Sequence, residues 1–364
     1  MSNNLIEYKC PCCNAPLHFN PQLQKIKCNS CGNVYTAKQL EDYKLGKEIV
    51  DIAKQPSKID WDLQSYKESH QKVEETNGYV CESCGAEIIA DENTVATECM
   101  YCGNKVVIKQ KISGVVKPDF VIPFKLDKKA AKNKLKQFYK NKILLPKAFK
   151  DENRIEKIAG MYIPFWFFDC EGEGFVTFKA TRSRHWEDSE YSHTTTYHYL
   201  CTRAGELAFE KIPVDASSKM EDDYMDGLEP YDYSEIKDFT ALYLAGYFAD
   251  KYDVSVEETI PRADLRVKNS TFAALRKTVV GYETVMPADS NIQMEKGNIQ
   301  YGLLPVWMLN TKYHDKMYQF AINGQTGRIS GLLPIDKKRA VLLFLAVFLI
   351  SACSIAIIAY FIVM

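Results

Sequence analysis

The chain has 364 residues, 46% hydrophobic and 26% charged, a composition that folds and has room for more than one domain. Its formal net charge of -1 supplies no global basic field, which argues against a nucleic-acid binder. Met1-Ser2-Asn3-Asn4 lacks a basic n-region and no apolar run follows, so no secretory signal is read there and the twelve cysteines are expected in a reducing compartment.

Eight of the cysteines form four Cys-x-x-Cys pairs. The first quartet is Cys10, Cys13, Cys28 and Cys31; the second is Cys81, Cys84, Cys99 and Cys102, each 71 positions after its counterpart. Tyr8-Lys9-Cys10 echoes Tyr79-Val80-Cys81, and Cys31-Gly32-Asn33 echoes Cys102-Gly103-Asn104, so the unit reads as duplicated. Two residues between cysteines let one tight turn aim two thiolates at a single ion. Gly32, Gly85 and Gly103 follow such pairs and permit positive φ, and Asn14 tolerates the same region. Four tetrahedral thiolates select zinc at about 2.3 Å, giving two structural Zn2+ ions in ribbons over residues 1–36 and 78–110. A rubredoxin-like iron site is the rival, since such knuckles hold either ion. Cys12 lies inside the first knuckle as a possible substitute ligand, but its counterpart is Ser83, so it is left out. Residues 1–110 hold 12 Lys and no Arg against 15 Asp and Glu, and the second ribbon carries Glu82, Glu87, Asp91, Glu92 and Glu98. Such a surface repels phosphate.

Residues 37–77 read as a charged, partly helical linker, with a helix over 37–53 that Pro56 ends. Trp61 is conspicuous there, either as a packing contact or as a partner anchor. From 117 to 336 the composition shifts to an aromatic-rich middle domain. Asp127 reads as an N-cap, followed by Ala131, Leu135 and Phe138 on one face and six lysines on the other. That basic face is read as solvated, with an anionic membrane as the second reading. Ile163 to Phe168 is read as a strand, Asp169 to Gly174 as a turn, and Phe175 to Lys179 as the return strand. Leu304 to Leu309 and Tyr318 to Ile322 repeat the pattern, both units carrying Pro-x-Trp 141 residues apart, each after a helical stretch (the second at 263–278). This suggests an internal duplication and an α+β domain with antiparallel sheet.

No Walker loop, Rossmann glycine fingerprint, His-Glu-x-x-His or Gly-x-Ser-x-Gly occurs, and no catalytic residue is assigned. His185, His193 and His198 are the best polar cluster, but the last two are five apart and fall on opposite faces of a strand. Cys170 and Cys201 read as buried or partly buried thiols. Ala340 to Met364 carries no charge and is long enough for one span of the ~30 Å hydrocarbon core. Lys337-Lys338-Arg339 before it place the N-terminal body in the cytoplasm, in a single-pass, tail-anchored arrangement at the cell membrane.

The paired ribbons, Ile122-Pro123-Phe124 before a lysine-rich helix, Tyr162-Ile163-Pro164-Phe165-Trp166, Leu304-Pro305-Val306-Trp307, Ala321 to Gly327 and the terminal span together resemble one family. They resemble the YdjG-like zinc-ribbon membrane proteins of bacteria, often labelled TFIIB-type zinc ribbon proteins. The resemblance implies a membrane-stress setting beside PspA-like and SPFH-type proteins, and carries over the eight cysteines and the anchor alone. The resulting expectation is a non-enzymatic adaptor recruiting cytoplasmic proteins to the bilayer. The alternatives are a lipid- or envelope-acting enzyme using the middle domain, and a membrane-tethered nucleic-acid-binding ribbon protein.

Overall fold

The structure is a computed structural model and describes residues 9–10, 17–21, 24–29, 34–38, 40–41, 57–70, 73–90, 94, 96, 98–105, 107–314 and 316–363. Cys12, Cys13, Asn14, Cys31, Asp91, Glu92, Pro56 and most of the helix expected over 37–53 lie outside these residues. Strands β1 (Leu17–Asn20), β2 (Lys25–Cys28) and β3 (Val34–Tyr35) make a small antiparallel sheet. There follow β4 (Lys58–Trp61), α1 (Leu63–Ser69), β5 (Val73–Cys81), β6 (Glu87–Ala90), β7 (Val107–Val116), β8 (Phe120–Val121) and α2 (Lys128–Lys140). Next come β9 (Ala159–Glu187), β10 (Ser192–Asp215), β11 (Lys237–Asp238), β12 (Phe248–Asp250) and α3 (Val256–Arg276). The chain ends with β13 (Thr284–Tyr313), β14 (Lys316–Asn323), β15 (Ile329–Gly331) and α4 (Lys337–Val363). The architecture is mixed α+β. The chain divides into two compact units: Met1–Asp62 with Asp169–Ile212 and Asp264–Asn298, and Leu63–Phe168 with Pro213–Ala263 and Ile299–Met364.

In the second unit the strands follow the order β11-β8-β13-β9-β12-β6-β5-β7, with β14 on β13 and β15 on β14. The sheet is mixed rather than purely antiparallel as expected: β12 runs parallel to β9, and β8 parallel to β13. Hairpin-linked strands must be antiparallel. The short strands β8 and β12 reach β13 and β9 from distant parts of the chain, which frees their direction.

These two parallel pairs share a set of contacts. Trp307 Nε1 donates to Leu126 O at 3.0 Å, and Trp166 Nε1 donates to Val254 O at 3.0 Å. Each acceptor immediately precedes a helix cap. Asp127 takes the Ala130 N–H at 2.7 Å to start α2; Ser255 and Glu258 form a reciprocal capping box to start α3. Gly324 O accepts from Lys125 N and Leu126 N, and Ala216 O accepts from Asp253 N and Val254 N. Gly324 N in turn donates to Pro305 O, and Ala216 N to Pro164 O. Phe124 stands edge-on to Trp307, and Tyr252 edge-on to Trp166, both at 5.1 Å.

The same face of α2 buries Ala131, Leu135 and Tyr139, with Phe138 half-buried. Successive residues of the β13–β14 hairpin serve two cores. Trp307, Leu309, Phe320 and Ile322 pack with α2, while Val306, Met308 and Ala321 pack with Cys81, Cys99, Phe165 and Phe167.

The first unit corrects the hairpin expected after Phe168. Asp169 to Gly174 do not form a turn; they belong to β9, which continues to Glu187. The glycine there serves close approach: a Cβ on Gly172 would lie 2.0 Å from Gln293 O. Asp169, whose side chain resembles a turn residue, accepts from Lys211 N at 2.5 Å. The turn comes at Asp188, whose Oδ1 accepts from Glu190 N and Tyr191 N. Val176, Phe178, Leu275, Val279 and Val285 form this unit's core, with Cys201; Cys170 is also buried. Trp61 is a packing contact within the chain: β4 pairs parallel with β13, Gly297 leaves room for the indole, and Nε1 donates to Asp264 at 2.9 Å.

One helix among the described residues, α4, is long and apolar enough to cross a membrane, and none of its Lys337–Ile355 window is buried.

Two stability tests follow from the second unit. Replacing Trp307 or Trp166 by Phe keeps most of the apolar surface but leaves a carbonyl unpaired; each is expected to cost about 1–3 kcal/mol, read by denaturant unfolding of the detergent-solubilised chain. His70 Nε2 lies 3.1 Å from Asp119 Oδ2, and that hydrogen bond raises the imidazole above its ordinary value, with burial opposing. The pair's stabilisation is therefore complete below the unfolded pKa of about 6.5 and is lost as pH rises through the higher folded value. The destabilisation caused by His70→Gln should shrink over that rise.

Candidate metal centre

The second quartet is built from two knuckles with matching hydrogen bonds. Cys81 N donates to Ala86 O and Cys99 N to Asn104 O, at 3.0 and 2.7 Å; Gly85 N donates to Cys81 O and Gly103 N to Cys99 O, at 2.8 and 3.0 Å. The fifth residue must reverse to close each loop, so Gly85 and Gly103 adopt φ of 71° and 69°. In the second knuckle Tyr101 N also donates to Cys99 Sγ at 3.4 Å.

The four thiols converge. Cys81 and Cys102 sulfurs are 3.6 Å apart, as are those of Cys84 and Cys99, and all four lie within 4.8 Å of one another. A tetrahedron of ~2.3 Å metal–sulfur bonds has edges of about 3.8 Å, so the donor set fits one tetrahedral ion. Cys81 and Cys99 are buried; Cys84 and Cys102 are half-exposed. Burial pushes the Cys99 and Cys84 thiols above the usual thiol range. At Cys81 burial is outweighed by the backbone N–H groups of Cys84 and Ser83, which hold the thiol below it. Four sulfurs this close cannot all remain thiolates without a cation between them, which is the service a metal supplies. Four thiolates leave no open position for water or substrate.

Of the first quartet, Cys10 and Cys28 are described and buried, Cys28 closing β2 and Cys10 Sγ lying 3.6 Å from the Tyr35 hydroxyl. Cys13 and Cys31 lie outside the described residues. The three histidines do not join a metal-holding group among the described residues. His193 Nε2 instead meets Asp188 at 2.7 Å, His185 meets Thr194 at 2.8 Å, and His198 is exposed.

Several supporting residues carried no sequence signal beyond polarity inside apolar strands. Asn310 of β13 donates to Met100 O and Tyr101 O, and Gln319 of β14 donates to Tyr101 O at 3.0 Å. The tip of the second knuckle is thus fastened to the hairpin. Behind it Ser217 Oγ donates to Asp250 Oδ2 at 2.5 Å, and burial pushes the Asp250 carboxyl up to about 7. The acidic surface of this ribbon is partly met by lysines of the same unit: Glu87 by Lys251 at 2.6 Å and Glu98 by Lys157 at 3.0 Å.

The chain is 36% identical over 335 residues to the uncharacterized protein YdjG of Bacillus subtilis (strain 168), with 92% of each chain covered. No family model matches the chain, and no solved structure matches it.

The clamp on Met100 and Tyr101 can be tested separately from the ligands. Cys84→Ser should abolish stoichiometric metal at this site, whereas Asn310→Ala should retain the metal with affinity lowered about 10- to 100-fold, read by competition with a chromogenic chelator.

Proposed function

This chain belongs to the YdjG family, and on that premise we propose that it is a non-enzymatic, membrane-anchored adaptor that docks cytoplasmic proteins through zinc-stabilised ribbons. The observation that carries this reading is the closed thiolate site at Cys81, Cys84, Cys99 and Cys102. A site with four protein ligands has structural work to do and no place for a reacting group. Zinc is the ion proposed, because a saturated tetrahedral thiolate set suits a redox-inert d10 cation. The first quartet, Cys10, Cys13, Cys28 and Cys31, is proposed to hold a second zinc ion, on its matching spacing.

The anchor is α4. Its charge-free run and exposed surface support a single span, and Lys337, Lys338 and Arg339 support a cytoplasmic body at the cell membrane. The partners proposed are SPFH-type and PspA-like proteins of a membrane-stress response, on the resemblance of the assembled motifs. The acidic ribbons are proposed to meet protein rather than nucleic acid, since phosphate is repelled by such a surface.

The full chain, affinity-purified in detergent beside Cys81→Ser/Cys84→Ser and an anchor-only control, tests this by mass spectrometry. SPFH-like or PspA-like proteins should accompany the intact chain and be lost from the double variant. Enrichment of no protein over the control would remove the adaptor reading.

A further inference from the structure

The start of α4 is tied to the corner that follows α2. Asp336 N donates to Leu144 O at 2.8 Å, and Arg339 Nη1 donates to Leu145 O at 3.0 Å and to Ile143 O at 3.4 Å. Arg339 is the last charge before the apolar run. The 143–145 corner therefore lies within about one helical turn of the point where that run begins.

The chemistry of the corner is that of a bilayer interface. Ile143 is 71% exposed and Ile335, beside the residue that bonds Leu144, is 61% exposed, so two large apolar side chains stand unpacked at the foot of the helix. Around them Lys140, Lys147 and Lys150 are exposed and form no ion pair with a described residue. The lysines one and two turns earlier on α2 differ: Lys136 is paired with Glu152 and Lys132 with Glu156. A cleft of about 510 Å³ opens here, lined by Lys136, Lys140, Lys150, Ile155 and Glu152 among others, the last of these already neutralised by Lys136.

We infer that this corner and cleft bind the anionic phospholipid surface of the leaflet that α4 enters. Ile143 and Ile335 pack among the upper acyl chains, and Lys140, Lys147 and Lys150 face headgroup phosphates. The inference rests on the membrane-anchor part of the proposed function. Within that reading it gives the anchor a second point of contact, which holds the body against the bilayer instead of letting it pivot on one helix.

The test uses the full chain in nanodiscs of phosphatidylcholine alone and in nanodiscs enriched in phosphatidylglycerol, read by amide hydrogen exchange over residues 137–150. Exchange should be slower in the anionic discs, and high salt should remove the difference. Each lysine neutralised should lower the docked fraction relative to the undocked about fivefold, so Lys140→Gln/Lys147→Gln/Lys150→Gln should exchange alike in both lipids. Equal exchange of the unaltered chain in both discs would overturn this inference while leaving the anchor intact. Inorganic phosphate reproducing the protection in neutral discs would overturn it too, by showing a small-anion site in place of a lipid surface. Failure of the chain to enter either disc would remove the anchor and this inference together.

Discussion

Two buried indole N–H groups set the geometry on which the second unit depends. Neither can be left without an acceptor, and each finds it at the carbonyl just before a helix cap: Trp307 at Leu126, Trp166 at Val254. The choice fixes more than one bond. Val254 is four residues beyond β12, so holding it holds Phe248 and Ala249 in register with Met161 and Tyr162. The other edge of β12 pairs with Ile88 to Ala90 of β6, and β6 pairs with the end of β5, where Cys81 stands. The thiolate site is thus placed by a ladder that begins at a tryptophan far from it in sequence.

That placement alters what a metal would do at this site. A free ribbon would owe its fold to the ion alone. Here Cys81, Ala86, Ile88, Cys99 and Tyr101 share one core with Phe165, Phe167, Val306 and Met308. Asn310 and Gln319 fasten the second knuckle by its carbonyls, and the β5–β7 pairing runs on for most of ten residues beyond the site. An ion bound there would close a corner of an existing sheet. Its four thiolates are the part of that corner which core packing cannot satisfy, because apolar neighbours offer no counter-charge.

The legible parts of the sequence were those in which chemistry depends on close spacing. Cys-x-x-Cys-Gly fixes a loop of five residues, and the two described knuckles have the same hydrogen bonds because they have the same letters. Asp127 and the 3.6-residue apolar face announced α2 for the same local reason. Pairings between distant segments were not legible. The direction of β8 and β12 depends on strands that no short window contains. The run Asp169 to Gly174 has the composition of a turn, yet Gly172 is there for a neighbouring backbone and Asp169 for Lys211. Asn310 could not be told from any polar residue at a strand end, since its role depends on where Met100 and Tyr101 arrive. The Pro-x-Trp echo was visible, but the reciprocal exchange that gives it a physical basis was not.

The β13–β14 hairpin explains how the four-cysteine site and the foot of α4 belong to one body. In the register Val306↔Asn323 to Tyr313↔Lys316, side chains alternate between the two faces. Val306, Met308 and Ala321 enter the core of the thiolate ribbon, and Asn310 with its cross-strand partner Gln319 bonds the knuckle. The opposite face presents Trp307, Leu309, Phe320 and Ile322 to α2 and to Leu145, and the Leu145 carbonyl is held by Arg339 at the start of α4. Close-packed interiors transmit position with little slack. The second ribbon is therefore mounted on the foot of α4 through two packed cores and one hairpin, not hung from it by a linker. A partner docked on Cys84 or Cys102, the half-exposed side of the site, would meet a surface whose placement relative to that foot is fixed by side-chain packing, the geometric property that the proposed adaptor role would need.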